Sequence, residues 1–189
     1  RIVEVWKRGF QSADVIGLWV GEGDLPTPAF ICDAAAEALK GGDTFTWAGR
    51  EVKVYACPGH TAGHIAYHIP SEYSLFAADT LFSLGCGRVF EGTLEEMYNS
   101  VTQFKALSPS TYLYCGHEYT ESNARFAMSV EPGNRFLQQR AGVVTELRQE
   151  GKMTYPTTIG EELKTNPFLR TDSPEIRRLL KMEGATDAQ

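Results

Sequence analysis

The sequence predicts an α/β protein, with a mixed α/β body over residues 1–119 followed by a small helical region over residues 120–189. Within the body, short runs of β-branched and aromatic residues alternate with turn residues, which is typical of a sheet. After Tyr119, apolar residues recur at the three- and four-residue spacing of amphipathic helices. The chain has 189 residues, of which 42% are hydrophobic and 22% charged. That composition is sufficient for one ordinary globular core with a smaller appendage.

The first forty residues are expected to form two strands and a helix. Runs at 2–6 and 15–20 are rich in Val, Ile and Trp, as strands are. Thr27 followed by Pro28 is a good helix start, because Thr caps the first turn and Pro fits the first helical position. The helix then extends through an alanine-rich stretch to about Lys40.

Strands dominate the chain from residue 47 to residue 115, apart from one helix. A turn is expected at 47–50, followed by a strand at 51–55 whose residues alternate with period two. Three further apolar runs predict strands at 64–69, 73–78 and 111–115.

The clearest helix is predicted over residues 93–107, where Thr93 and Glu96 form a capping box. One face of this helix carries an apolar stripe expected to face the core: Leu94, Met97, Tyr98, Val101 and Phe104. Beyond Tyr119, helical spacing recurs in three segments: 121–130, 134–150 and 174–182.

Charge and cysteine content exclude several classes of function. A net charge of −6 and a pI near 5.3 argue against nucleic acid, which is bound by clustered Lys and Arg. No apolar run is long enough to span a bilayer and no secretion leader is recognisable, so no membrane partner is expected. The cysteines are widely spaced without a C-x-x-C pair, which indicates free thiols and a cytoplasmic location: Cys32, Cys57, Cys86 and Cys115.

Three of the four histidines lie in one stretch, CPGHTAGHIAYH (57–68). His60, His64 and His68 would share one face of a helix, but Pro58 and Gly63 disfavour a helix and the residues that follow alternate as a strand does. His60 then lies in a glycine-bounded loop and is the best ligand candidate. His64 and His68 are expected to be structural.

Two other apolar strands also end in potential metal ligands. Asp79 follows the strand that includes Phe76, and His117 follows the strand at 111–115. Imidazole and carboxylate donors together suit zinc or iron. The alternative for Asp79 is a helix cap or a loop acid.

Several motifs in this sequence resemble glyoxalase II, hydroxyacylglutathione hydrolase, a family of the metallo-β-lactamase superfamily. The resemblance extends from about Ala34 to about Gly184, and four motifs carry it: PGHTAGH (58–64), ADTLFSLGCGRVFEGT (78–93), CGHEYTESNARFA (115–127) and NPFLR (166–170). PGHTxGH alone indicates only the superfamily, whereas GCGRxFEGT and GHEYT are more specific. The resemblance implies a partial αββα sandwich followed by a helical substrate-binding domain.

The resemblance also implies hydrolysis of S-D-lactoylglutathione to D-lactate and glutathione with two divalent metals, of zinc, iron or manganese. His60 would bind the first metal and His117 the second, while Asp79 would bridge them as the candidate catalytic carboxylate. Three residues would contact the glutathione thioester: Arg88, Phe90 and Tyr119.

The sequence departs from the family pattern in two respects. The family's T-H-x-H-x-D-H motif is absent, since no histidine precedes His60 and residues 1–30 carry no recognisable motif. A basic R-x-x-K-type C-terminal segment is absent as well. We therefore expect little or no metal binding by this chain, an incomplete domain over 1–119, and self-association through an exposed sheet edge. Two alternatives to the glyoxalase II activity are a non-catalytic binding or oligomerising remnant and another thioesterase of the superfamily.

Overall fold

The computed structural model of the protein describes residues 40–188. The two strands and the helix expected in the first forty residues, and with them Cys32, lie outside the described residues. Among the helices that are described, none combines the length and the apolar character needed to cross a membrane.

Six strands of the described region form one mixed sheet, and two more form a small hairpin. In chain order the strands are β1 (Thr44–Trp47), β2 (Arg50–Ala56), β3 (Ile65–Ile69), β4 (Ser74–Ala78), β5 (Leu81–Phe82), β6 (Gly85–Cys86), β7 (Tyr112–Cys115) and β8 (Thr157–Thr158). The sheet order is β1-β2-β3-β4-β7-β8, and β5 pairs with β6. Neighbouring strands are antiparallel except β4 and β7, which are parallel. The strands predicted from residue 51 onward are confirmed.

The predicted turn at 47–50 is confirmed as the connection between β1 and β2. Ala48 and Gly49 both have positive φ, at 48° and 78°. Two successive residues in the left-handed region match the twist of the flanking strands and give a tight hairpin.

The described helices are α1 (Leu94–Thr102), α2 (Thr120–Val130), α3 (Arg135–Gln149), α4 (Ile159–Thr165) and α5 (Pro174–Leu180). The three helices predicted beyond Tyr119 correspond to α2, α3 and α5. Sequence reasoning missed α4, although Thr158 and Glu161 carry the spacing of a helix start. The Thr158 side chain indeed accepts a hydrogen bond from the Glu161 N–H.

Helix α1 begins as predicted but is shorter than expected, since a 3₁₀ turn at Gln103–Ala106 replaces its last turn. The Thr93–Glu96 capping box is confirmed. Met97, Val101 and Phe104 are buried against the sheet, whereas the prediction for Leu94 is wrong because its side chain is 63% exposed. Leu94 is the first residue of α1, and the buried face begins one turn later.

Two apolar clusters form the core of the part of the chain that the structure describes. The larger cluster packs α1 and α4 against one face of the sheet, with Leu75, Phe104 and Ile159 among its members. The smaller cluster joins α2 and α3 to the β5–β6 hairpin, where Leu84 is fully buried against Leu137 and other residues. The helical region therefore packs directly on the hairpin that follows β4.

An ion pair also ties the helical region together. The Glu131 carboxylate is 3% exposed and accepts hydrogen bonds from Arg170, at 2.7 and 2.9 Å, and from Ser173 and Asn134. Burial acts to raise the pKa of Glu131, but the hydrogen bonds from Arg170, Ser173 and Asn134 outweigh burial and hold the pKa below its ordinary value.

Replacement of Arg170 by Met is expected to lower the free energy of unfolding by about 3 kcal/mol at neutral pH, because a buried carboxylate loses its charged partner. Urea denaturation measures this loss. The pKa of Glu131 is lower in the folded protein than in the unfolded chain. Its contribution to the free energy of unfolding is therefore present above its ordinary pKa and is lost as the pH falls through the folded pKa. The difference in free energy of unfolding between the parent protein and R170M should therefore decrease at acidic pH.

The control is Arg125→Met, which removes an exposed ion pair with Glu121 on α2. This change should cost less than about 0.5 kcal/mol at any pH. An equal cost for the two variants would contradict the stabilising role of the buried pair.

Candidate metal centre and adjoining cleft

Parallel pairing of β4 and β7 brings Asp79 and His117 to the same edge of the sheet. Ala78 at the end of β4 is the partner of Cys115 at the end of β7. The Gly116 N–H then donates to the Ala78 carbonyl at 3.0 Å, which continues the pairing for one further residue. Strands β4 and β7 both end at this point. The side chains that follow them, Asp79 and His117, therefore face each other.

His60 reaches the same place from the loop between β2 and β3. The Ser100 hydroxyl on α1 donates to the Pro58 carbonyl at 2.7 Å, and the Glu91 carboxylate accepts from the Ala62 N–H at 2.7 Å. These contacts hold the loop on both sides of His60.

The ring of His60 is oriented by the backbone of Arg88. Its Nδ1 lies 2.9 Å from the Arg88 carbonyl oxygen, a pairing in which Nδ1–H must donate. The other nitrogen, Nε2, lies 3.6 Å from Asp79 Oδ2 and in a neutral ring carries the lone pair. Metal-binding histidines are commonly oriented in this way, with one N–H on a carbonyl and the opposite nitrogen free to bind.

Each oxygen of the Asp79 carboxylate faces a different imidazole. Oδ2 lies 3.6 Å from His60 Nε2, and Oδ1 lies 3.3 Å from His117 Nε2. Two ligands that each lie about 2.0 Å from one tetrahedral zinc are roughly 3.3 Å apart. Moreover, Oδ1 is buried and accepts no hydrogen bond within residues 40–188. Both separations therefore fit a carboxylate that bridges two cations, each with one histidine.

Two glycines make room for this carboxylate. A Cβ atom on Gly116 would lie 2.5 Å from Asp79 Oδ1, and a Cβ atom on Gly87 would lie 1.9 Å from the Asp79 carbonyl oxygen. Neither distance is possible between non-bonded atoms, so any side chain at these positions would displace Asp79.

The donors fit two divalent metals in chemical type and spacing, but they are few. Within residues 40–188, no group of three or more His, Cys, Asp or Glu side chains could hold a metal ion. Each side of Asp79 offers one carboxylate oxygen and one imidazole. All four histidines of the sequence lie in this described part of the chain.

His64 supports Asp79 from behind. Its Nε2 accepts a hydrogen bond from the Asp79 N–H at 3.2 Å, and its Nδ1 lies 3.4 Å from the Thr61 hydroxyl. Burial, followed by the charge of His60, lowers the pKa of His64 against the opposing effect of Asp79. His64 is thus neutral at pH 7 and uses its lone pair within the protein.

His68 lies away from this group, on β3. It is buried beside Tyr55, and its pKa is lowered by burial and by Lys53. His64 thus supports the backbone of Asp79, whereas the structural role of His68 stays a prediction.

A cleft of about 650 Å³ opens in front of the three candidate ligands. Tyr119 stacks on the His117 ring at 4.8 Å, and Phe90 lies 5.1 Å from the His60 ring while remaining 66% exposed. Arg88 lies on the same wall. The structure therefore brings all six predicted residues together around one cleft.

Sequence reasoning missed five other residues of this cleft: Phe82, Cys86, Gly87, Ser122 and Asn123. Ser122 and Asn123 lie one turn after Tyr119 at the start of α2, a spacing that could have indicated them. Cys86 is not a candidate nucleophile, because burial raises the pKa of its thiol to about 12.

The chain matches a known superfamily. Residues 4–117 match the family model described as the metallo-beta-lactamase superfamily, so the chain belongs to that superfamily. This match includes most of segment 1–30, in which we recognise no family motif. The fold is similar to the crystal structure of a metallo-beta-lactamase from Staphylococcus aureus, with a TM-score of 0.50 and 19% identity over 78% of this chain and 38% of that one. The predicted fold class is confirmed.

More specific similarity comes from the rest of the chain and from curated relatives. Residues 118–189 match the family model described as the hydroxyacylglutathione hydrolase C-terminus. The chain is 54% identical over 147 residues to the hydroxyacylglutathione hydrolase of Rhizobium meliloti, covering 78% of this chain and 57% of that protein. It is 47% identical over 152 residues to that of Methylococcus capsulatus, covering 80% and 59%. The chain thus spans about three fifths of the length of the curated relatives that it matches.

Substitution of Gly116 by Ala is expected to displace the Asp79 carboxylate and to separate it from His117. Ring signals of His117 in a two-dimensional ¹H–¹⁵N spectrum should shift by more than a peak width. The control is Gly142→Ala on α3, where an added Cβ meets no atom within 4 Å and should raise helix stability by about 0.5–1 kcal/mol. Unchanged His117 signals in the Gly116 variant would contradict the close packing described above.

Proposed function

We propose that the protein is of the glyoxalase II type, the glutathione-thioester hydrolases that convert S-D-lactoylglutathione and water to D-lactate and glutathione, and that turnover by this chain alone is low because few metal donors surround Asp79 within residues 40–188. One observation carries the proposal: the two oxygens of Asp79 face His60 and His117 separately at the bottom of a cleft. The similarity to hydroxyacylglutathione hydrolases at about half of the aligned positions supports the substrate class.

The residues of the cleft suit a glutathione conjugate. Glutathione carries two carboxylates, and Arg88 provides a cation for one of them in a protein that is acidic overall. Tyr119 offers a hydroxyl group, and the exposed ring of Phe90 offers an apolar surface for the thioester chain. We assign these three residues to substrate binding, and the helical region 120–189 to the wall of the same cleft.

His60, Asp79 and His117 would hold the metals. Bound divalent ions in such a site would supply Lewis acidity at the thioester carbonyl and a water of lowered pKa. The chain's own contribution is orientation, since the Arg88 carbonyl holds His60 and the His64 ring holds the backbone of Asp79.

We further propose that metal occupancy is low in this chain by itself. A catalytic zinc normally has three protein ligands, whereas each side of Asp79 offers two donors within residues 40–188. The same observation favours a second candidate function, a binding or oligomerising module that retains the cleft without turnover. Strand β1, at one end of the sheet formed by residues 40–188, ends in the 61% exposed Trp47 and is then the edge proposed for self-association.

We also propose a cytoplasmic location and no nucleic-acid or membrane partner. The cysteines of the described region, Cys57, Cys86 and Cys115, carry free thiols, as is usual in a reducing compartment. The negative net charge supports the absence of a nucleic-acid partner.

Zinc content and turnover distinguish the two candidate functions. After equilibration with zinc, we expect less than one ion per chain and little hydrolysis of S-D-lactoylglutathione, and His60→Ala should change neither. Atomic absorption and a thioester absorbance assay measure these quantities, with His68→Gln as the control for a histidine outside the cleft. Two results together would overturn both the proposed low metal occupancy and the non-catalytic module: near-stoichiometric zinc, and turnover that the His60→Ala substitution removes. They would support the hydrolase as the function of this chain.

Binding of a glutathione conjugate tests the cleft without any reaction. Arg88→Met should weaken binding of S-methylglutathione, a thioether that is not hydrolysed, by roughly fivefold, since an exposed ion pair contributes up to about 1 kcal/mol. Isothermal titration calorimetry measures the affinity. Arg125→Met, on the exposed face of α2, should leave it unchanged. Equal affinities of all three proteins would remove Arg88 from the proposed site.

A further inference from the structure

The β5–β6 hairpin, residues 81–86, connects the helical region to both candidate metal-binding histidines. Phe82 lies 6.0 Å from the ring of His117 and 5.6 Å from that of Tyr119, edge to face in both cases. Beyond the hairpin the chain reaches Arg88, whose carbonyl orients His60. The position of the hairpin therefore influences the imidazoles on the two sides of Asp79.

The hairpin has little internal stability. Its strands are two residues each, Leu81–Phe82 and Gly85–Cys86. Leu84 in the turn has a φ of +59°, a conformation that a leucine adopts only at a cost in free energy. A conformation of this kind persists only where surrounding groups hold it in place.

Asn166 provides part of that support. Its side chain is fully buried, and Nδ2 donates to the carbonyls of Phe82, at 3.1 Å, and Gly85, at 3.0 Å. Its Oδ1 accepts from the Phe168 N–H at 3.0 Å, which fixes the orientation of the amide group. One side chain thus binds both strands of the hairpin.

Asn123 on α2 supports the turn of the hairpin, since its Nδ2 donates to the Ser83 carbonyl at 3.0 Å. Glu162, one turn before Asn166 on α4, provides further support. Its carboxylate is fully buried, and Oε2 accepts from the Leu84 N–H at 2.7 Å and from Asn166 Nδ2 at 2.9 Å. Oε1 accepts from the Thr157 hydroxyl at 2.9 Å. Glu162 therefore holds the strained turn residue directly and holds Asn166 in place.

We propose that Glu162 and Asn166 are positioning residues, which set the orientation of His117 and His60 through the backbone of the hairpin. The inference rests on the proposed function in one point only, namely that the imidazoles of His117 and His60 are the metal-binding groups of the cleft. Its predicted consequence concerns ring geometry and holds whether or not the chain hydrolyses a thioester.

The test uses the ring signals of the histidines in a two-dimensional ¹H–¹⁵N spectrum of the full, metal-free chain at one fixed pH. Asn166→Ser keeps a side-chain oxygen that can cap Phe168 but deletes both bonds to the hairpin. Asn134→Ser is the matched control. Asn134 also caps a helix, and its Nδ2 also donates to a carboxylate, that of Glu131, and to a carbonyl, that of Lys164.

Asn166→Ser should shift the His117 and His60 signals by more than a peak width and leave the His68 signals unchanged. Asn134→Ser should leave the signals of all three histidines unchanged, even if urea denaturation shows a loss of stability similar to that of Asn166→Ser. Unchanged His117 and His60 signals in a folded Asn166→Ser protein would overturn the proposal, because the asparagine would then have only a structural role.

Two changes at Glu162 test the same inference independently. Glu162→Gln retains an acceptor for Leu84 and should preserve the signals of the parent chain, whereas Glu162→Ala should shift them as Asn166→Ser does. Equal spectra for both variants would contradict the role of Glu162.

If neither Asn166→Ser nor Glu162→Ala folds, hydrogen exchange of the unmodified chain is decisive. The N–H of Leu84 should exchange as slowly as that of Asn166, which bonds within α4. Faster local exchange of Leu84 would overturn the proposal.

Discussion

The parallel contact between β4 and β7 is the interaction on which the candidate site depends. A parallel pair ends both strands at one edge, so residues far apart in the sequence leave the sheet side by side. Asp79 and His117 meet for this reason, and the bond from Gly116 to Ala78 sets their separation. The loop between β2 and β3 then only has to place His60 beside this edge of the sheet.

The helical region forms part of the site. Strand β8 lies beside β7 in the sheet, and α4 places Glu162 and Asn166 beneath the hairpin. Buried polar groups of this kind are stable only when every donor and acceptor has a partner. Here the partners are backbone groups of the hairpin, whose Phe82 and Gly85 carbonyls accept from Asn166 and whose Leu84 N–H donates to Glu162. On the proposal above, the shape of the cleft depends on these residues outside it.

Local patterns in the sequence predicted most strands, the 47–50 turn and the capping box of α1, because neighbouring residues alone determine these features. The meeting of His60, Asp79 and His117 was also predictable, since each follows an apolar run. Helix α4 was missed because it is only seven residues long and follows directly from a strand. The separate pairing of the Asp79 oxygens and the bonds from Asn166 depend on contacts between distant segments, which periodicity does not report.

The bonds between the hairpin and α4 also bear on the order of folding. Leu84 and Glu162 are 78 residues apart in the sequence, and Phe82 and Asn166 are 84 residues apart. Contacts over such separations form late, because the intervening chain must first lose its freedom. During synthesis β1–β4 and β7 leave the ribosome before β8 and α4, so the hairpin can form its bonds to α4 only after these strands have emerged. We therefore expect the contacts that hold the hairpin beside the cleft to form in the late steps of folding.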